Sequence, residues 1–289
     1  MKHHFADLLD REGNYWTIVP NVKRFAFTLE NIRTSDEEIK IVTIDKYDKD
    51  WDRVFKMPKL EEITLHEPSK TQLEKIGNLK QLKRLRISHA RPKNIEFIAD
   101  LSNLEEVVFE YVSGFSDLSP FKKLSKLKSL HLENLRRVSN YDGLRGINTL
   151  RYLNIDGTLD WKQPVESFNF LEDIPNLEIF RLGWITNKSD YPKLKSIIKL
   201  KHLKKIRIIR DTFQTGEFAF IEAALPNIEG ANWDLCWEYN GWFEFLGKRA
   251  GKVKCNSPRA KERCQEFIKK YNKMKNDAKK EIKNTLANN

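Results

Sequence analysis

Leu82-Lys83-Arg84-Leu85-Arg86-Ile87 decides how this chain folds, because the same L-x-x-L-x-L hexad recurs on both sides of it. It is spelled Leu60-Glu61-Glu62-Ile63-Thr64-Leu65, Leu104-Glu105-Glu106-Val107-Val108-Phe109 and Leu127-Lys128-Ser129-Leu130-His131-Leu132. It continues at Leu150/Leu153/Ile155, Leu177/Phe180/Leu182 and Leu203/Ile206/Ile208. The first leucines are 22, 22, 23, 23, 27 and 26 residues apart. Three more apolar residues precede each hexad at steps of three, as in Leu73/Ile76/Leu79 and Phe168/Leu171/Ile174. All 42 such positions are apolar. A chain that is 40% apolar would supply about 17 by chance, so the period is a property of the fold.

Within a hexad the alternation sends Leu85 and Ile87 to one side and Arg84, Arg86 and Ser88 to the other, as in a short strand. The upstream spacing of three suits a helical or 3₁₀ return leg that buries a single stripe. One unit cannot cover its own apolar side, so units stack and their strands pair in parallel at roughly 4.8 Å per rung. The expectation is an α/β solenoid: a curved right-handed superhelix with a concave parallel sheet, helical or 3₁₀ returns, and a C-terminal amphipathic helix. From Trp51 to Trp233 the pattern resembles the leucine-rich-repeat family, and the 22-residue units resemble its short-repeat, internalin-like bacterial branch. One departure stands out. The family usually places Asn three residues after the second strand leucine, where this chain has Pro68, Ala90, Val112, Leu135, Thr158, Ile185 and Asp211. The turn backbone must find other hydrogen-bond partners.

Outside the regular units, residues 1–50 read as an N-terminal cap with irregular strands at Val22/Phe25/Phe27 and Ile39/Ile41/Val42/Ile44. Residues 51–234 are the repeats, seven regular and a degraded last unit at Leu225/Ile228/Ala231/Trp233. Residues 235–289 hold an aromatic plug, Cys236 to Phe245, and a helix opened by Ser257-Pro258. That helix has apolar residues at Ala260, Cys264, Phe267, Ile268, Tyr271, Met274, Ala278 and Ile282. From Gly247 onward there are 14 Lys and Arg against 4 Asp and Glu, so almost all of the net charge of +11 sits there. No apolar window reaches membrane-spanning length and Met1 to Asp7 lacks a secretory pattern, which leads to a cytoplasmic expectation. Three cysteines, without a Cys-x-x-Cys pair, suggest neither a disulfide framework nor a zinc site.

The resemblance implies a non-enzymatic protein-binding module, of a bacterial interaction or immunity type, using the concave face. Read by rung, that face offers Arg84 and Arg86, then Glu106 and Glu110, His131 and Glu133, Tyr152, Asn154 and Asp156, Arg181, and Arg207. An acidic middle lies between basic flanks, and Tyr152 is the candidate anchor. The alternative for these residues is an ordinary solvated sheet surface. The strand register itself predicts that Leu153→Ala costs about 2–5 kcal/mol and Asn154→Ala little. The two longest loops carry Trp161 and Trp184, either as a binding rim or as cover for their own backbone. Lys269, Lys270 and Lys273 on the C-terminal helix could meet nucleic acid or an anionic membrane, or serve as solubilising charge on a cap. His131 with Glu110 and Glu133, or Cys236 or Cys264, could be drawn as catalytic groups, but an open sheet offers no desolvated pocket. No cofactor, metal or small-molecule substrate is implied, and oligomeric state is undetermined by the sequence.

Overall fold

The computed structural model describes residues 11–12, 15–16 and 27–287, with side chains from 27 to 284. Val22 and Phe25 of the expected cap lie outside the described residues. A short antiparallel pair, β1 (Arg11–Glu12) and β2 (Tyr15–Trp16), precedes the main sheet. That sheet contains β3 (Ile41–Asp45), β4 (Glu62–His66), β5 (Arg84–Ala90), β6 (Glu106–Val112), β7 (Ser129–Glu133) and β8 (Tyr152–Asp156). It ends with β10 (Ile179–Leu182) and β12 (Lys205–Ile208). Its order is chain order, β12-β10-β8-β7-β6-β5-β4-β3, and its ladders are parallel. Each unit therefore adds one rung.

Register follows the hexads: Leu65 pairs with Ile87, Ile87 with Phe109, Phe109 with Leu132, Leu132 with Ile155, Ile155 with Leu182, and Leu182 with Ile208. These residues and the upstream stripe, from Val54 to Ile206, form one continuous buried core. The return legs at Trp51–Lys56, Glu96–Ile98, Ser119–Lys123, Asp142–Leu144, Asn169–Asp173 and Lys195–Lys199 are 3₁₀ turns, whose three-residue repeat matches the apolar spacing. The leg α1 (Lys70–Ile76) is α-helical, and Ser69 and Gln72 close its N-terminus as a capping box. Strand β3 is a full rung in register with β4, where an irregular cap strand was expected. At the residue before the strands, opposite charges pair between rungs: Lys83 to Glu61 at 2.9 Å, Lys128 to Glu105 at 2.8 Å, Lys204 to Glu178 at 2.6 Å.

In place of an asparagine ladder, Ala90, Val112, Leu135 and Ile185 enter the core, and the turns are served by scattered polar side chains. Gln163 is fully buried; its Oε1 accepts from Leu135 N at 2.8 Å and its Nε2 donates to Val138 O at 2.6 Å. Glu217 accepts from Leu194 N at 2.9 Å and Lys193 N at 3.1 Å, and burial pushes its carboxyl above the usual range. Gln72 Nε2 donates to Asp45 O at 2.6 Å. Strands β9 (Gln163–Pro164) and β11 (Ile185–Thr186) pair in parallel where the long loops leave the sheet.

Beyond β12 the chain forms α2 (Thr215–Ala224), a helix that the sequence reading did not anticipate. Phe218, Ala219, Phe220 and Ile221 are all buried in succession, so there is no one-sided stripe to read. Strands β13 (Cys236–Tyr239), β14 (Trp242–Phe245) and β15 (Lys252–Lys254) then form a small antiparallel sheet. The expected C-terminal helix is α3 (Ala260–Ala287). Its buried Phe267, Tyr271 and Ala278 join the core, and it lies along α2, where Tyr271 Oη and Lys275 Nζ both donate to the Glu222 carboxylate. Among the described residues no helix is long and apolar enough to cross a membrane.

Candidate binding face on the sheet

Parallel strands place equivalent positions of adjoining rungs side by side, so long side chains on the face opposite the returns meet one another before they meet a partner. Arg86 is 1% exposed, and its Nε donates to Glu110 Oε2 at 2.8 Å, with Nη2 on the same oxygen. Arg84 Nε donates to Glu62 Oε2 at 2.6 Å. Glu106, Glu110, His131 and Asn154 are buried, as is Tyr152 at 1% exposure, with Arg181 3.4 Å from its hydroxyl. Glu133, Asp156 and Arg181 are half-buried and Arg207 is exposed. The alternative of a solvated sheet surface is thus corrected for most of these positions: they form a packed polar layer. Asn154 Nδ2 donates to His131 Nδ1 at 3.0 Å, which leads to the expectation that Asn154→Ala costs more than the register alone implies.

That contact also sets the imidazole. With Nδ1 accepting, the ring proton lies on Nε2, which donates to Glu133 Oε2 at 3.3 Å. Desolvation lowers the His131 pKa to about 4, against the opposing pull of Glu110 and Asp156, so the ring is neutral at pH 7. Burial raises the Glu133 carboxyl, and it raises that of Asp156 too, where the neighbouring Glu133 adds to the effect. Burial desolvates these side chains on the sheet itself. Glu110, His131 and Glu133 each bring a ligand atom within 4.8 Å of the others, the one donor set of this kind found among the described residues. Hydrogen bonds to Arg86 and Asn154 already account for this arrangement.

At the strand exits a second feature repeats. Glu67, His89, Tyr111 and Asn134, two residues past the second strand leucine in successive rungs, have φ of 46°, 56°, 54° and 53°. The left-handed turn aims an amide at the next rung: Glu67 N donates to Ser88 O and Asn134 N to Asp156 O, both at 2.9 Å. For Tyr111 and His89 this conformation costs about 1 kcal/mol or more, as Cβ crowds the carbonyl. Their rings stack at 4.8 Å with a 5° interplanar angle, next to His66 at 5.4 Å from His89. Tyr111 is 41% exposed. The sequence reading missed both residues. No glycine marks the left-handed positions, so the signal lay only in their common offset from the hexads.

The long loops are held tightly. Trp184 N donates to Asp156 Oδ1 at 2.6 Å, Gln163 N to Trp184 O at 2.8 Å, and Thr158 N to Trp161 O at 2.7 Å. A Cβ on Gly157 would lie 2.2 Å from Trp184 O, a backbone clash that demands glycine, and one on Gly183 would fall 1.7 Å from Asp156 Oδ1 and displace that carboxylate. Trp161 and Trp184 are half-buried, each beneath a cation: Arg136 at 6.0 Å and Lys162 at 5.4 Å from the ring centroids. On α3, Lys269, Lys270 and Lys273 are exposed. Cys236, Cys255 and Cys264 are free thiols. Burial, with Cys264 alongside, pushes the Cys236 thiol up to about 12, the opposite of an activated nucleophile.

No protein-family model and no curated protein matches the chain. Among solved structures it is similar to internalin C2 of Listeria monocytogenes, 24% identical over 53% of this chain and 65% of that one, with a TM-score of 0.40. It is also similar to a second internalin of that organism, at 16% identity, 65% and 63% coverage and 0.40. A leucine-rich-repeat protein of Leptospira interrogans stands at 18%, 60% and 44%, with 0.43. The chain spans less than two thirds of the length of each of these structures. By its own hexads, parallel register and one-rung-per-unit order, the chain is a leucine-rich-repeat solenoid.

Proposed function

We propose that the chain is a non-catalytic docking module for a protein partner that presents basic side chains, seated at the strand exits of β6 to β8 and extending to Trp161 and Trp184. One observation carries this reading. Glu133 and Asp156 lie side by side in register on adjacent strands, both carboxyls raised, next to the exposed and backbone-strained Tyr111. Like charges facing each other across a strand pair cost on the order of 0.2–1 kcal/mol, and a partner's arginine or lysine would convert that cost into attraction. Tyr111 on His89 supplies a flat aromatic contact of the kind that dominates interface energy. It replaces Tyr152 as the anchor, since Tyr152 is buried. The unpaired thiols fit a reducing compartment and support a cytoplasmic location.

The test uses a partner identified by co-purification from the native host and then purified. Titration calorimetry should show that Tyr111→Ala with Glu133→Gln weakens binding at least about tenfold, while the melting temperature holds or rises. A partner bound equally well by the double variant would refute this docking site.

A further inference from the structure

The sheet β13–β14–β15 has two unlike faces. Its register sets Cys236 beside Phe245, Glu238 beside Phe243, and Phe243 beside Val253 on one face. On the other, Trp237, Glu244 and Lys252 form one row and Tyr239, Trp242 and Lys254 a second. The first face closes the solenoid: Phe245 stacks on Phe267 at 4.8 Å, and Cys236 Sγ lies 3.8 Å from the Cys264 carbonyl oxygen. The second face looks out. The sequence reading took the whole aromatic run as a plug, yet Trp237 and Tyr239 are 39% and 49% exposed and stack on each other at 4.8 Å.

Cations cover these rings. Lys252 and Lys254 stand 4.7 and 5.6 Å above Trp242. Arg210, from the turn after β12, lies 5.3 Å over Trp237, its guanidinium fixed by the carbonyls of Asp234 and Glu244 at 2.6 and 3.1 Å. Beside them opens a cavity of about 670 Å³ with an apolar floor of Ile208, Phe245 and Ala250, lined also by Arg249, Asp211 and Glu244. The inner face is the one packed on the core, and the two stacked aromatics stay exposed on the other. A ligand suited to this face is flat, aromatic and negatively charged at once. Bases with their phosphates meet that description, and stacking on aromatic rings beside a basic track is how single strands are held without regard to sequence. The +10 excess of the chain from Gly247 onward attracts such a polymer from a distance. Further cation-covered rings, Trp184 and Trp161, occur in the loops after β10 and β8, the rungs that follow β12 in the sheet.

We propose that the outer face of β13–β15, with Arg210, binds single-stranded nucleic acid, bases stacking on Trp237 and Tyr239 and phosphates meeting Arg210, Arg249, Lys252 and Lys254. This moves the anion-binding role from Lys269, Lys270 and Lys273 on α3 to the sheet, and it stands independently of the protein-docking reading.

Fluorescence anisotropy on the full chain with a labelled oligouridylate of about 12 nucleotides, at about 50 and 300 mM salt, tests it. The expected result is saturable binding with quenching of tryptophan emission, weakened at least about tenfold by the higher salt. Trp237→Ala with Tyr239→Ala should weaken it at least about tenfold, whereas neutralising Lys269, Lys270 and Lys273 should change it by no more than about twofold. Lys252→Ala with Lys254→Ala, at exposed positions, should weaken binding and reduce the salt slope by about two phosphate contacts. Melting temperatures identify any variant that has lost its fold. Absence of binding at low salt would overturn the proposal. So would equal binding of a duplex, or binding matched by heparin and indifferent to the aromatic substitutions, which would mark a polyanion or polysaccharide surface.

Discussion

On rungs β5 to β8 an outward side chain meets a polar partner one rung away: Arg86 reaches Glu110, two residues past its register partner Val108, and Asn154 reaches its own register partner His131. On β13 to β15 aromatic and charged side chains stay at the surface: β13 is an edge strand, and Trp237 stacks on Tyr239 of the same strand beneath Arg210. The difference teaches that repetition uses up polar surface. Strands roughly 4.8 Å apart hold equivalent positions within hydrogen-bond reach of each other, so a regular rung tends to satisfy its own charges. Free recognition chemistry collects where the repeat stops or bends, at the strand exits and on the terminal sheet.

The comparison can be broken most forcefully inside the stack. Leu153→Ala should lower stability by about 2–5 kcal/mol in denaturant titration, whereas Trp237→Ala on the terminal sheet should cost well under about 1 kcal/mol. Equal losses would mean that the outer aromatics are core after all. Next comes acid sensitivity. His131 is kept neutral by burial, with Glu110, Glu133, Asp156, Arg86 and Arg181 facing it, so its folded pKa of about 4 lies below the ordinary histidine value of 6.5. Its contribution is complete above the unfolded pKa and is lost as pH falls through the folded one. At pH 4 wild type should have lost roughly 3 kcal/mol relative to His131→Gln, at 1.36 kcal/mol per unit. Glu133 and Asp156, whose carboxyls are raised, act with the opposite sign, their share fading as pH rises; comparison with the variant isolates the imidazole. Parallel melting curves from pH 7 to 4 would refute a buried neutral ring.

A smaller effect is expected at Gln163→Ala, which strands Leu135 N and Val138 O without their partners and should cost about 1–3 kcal/mol. Smallest in the stack is Asn154→Ala, at about 1 kcal/mol, with a rise in the His131 pKa readable by NMR titration as water reaches the ring. A neutral Asn154→Ala would restore the picture of a solvated face and dissolve the contrast between the two regions.

The sequence made the rung order, register and core legible because burial has a period there: Leu85, Ile87 and their equivalents recur at a fixed offset in every unit. The C-terminal helix was legible for the same reason. The polar layer was not. Alternation says that Arg86 and His131 leave the core, but not that Glu110 and Asn154 will be waiting for them one rung on. Helix α2 escaped because Phe218 to Ile221 are buried on every side. The outer face of β13–β15 escaped because Trp237 and Phe245 look equally apolar in composition, and only hairpin register separates the ring that faces the core from the ring that faces water.

Asp156 and Gly183 carry one last consequence. The carboxylate that holds Trp184 N occupies the space where residue 183 would need its Cβ, at 1.7 Å. The dependence runs one way: any side chain at 183 evicts the acid, whereas losing the acid only removes the reason for glycine. In diverging descendants of this chain a side chain at 183 should appear only where the acid at 156 has already gone, which fixes the order of change in the loop that carries Trp184.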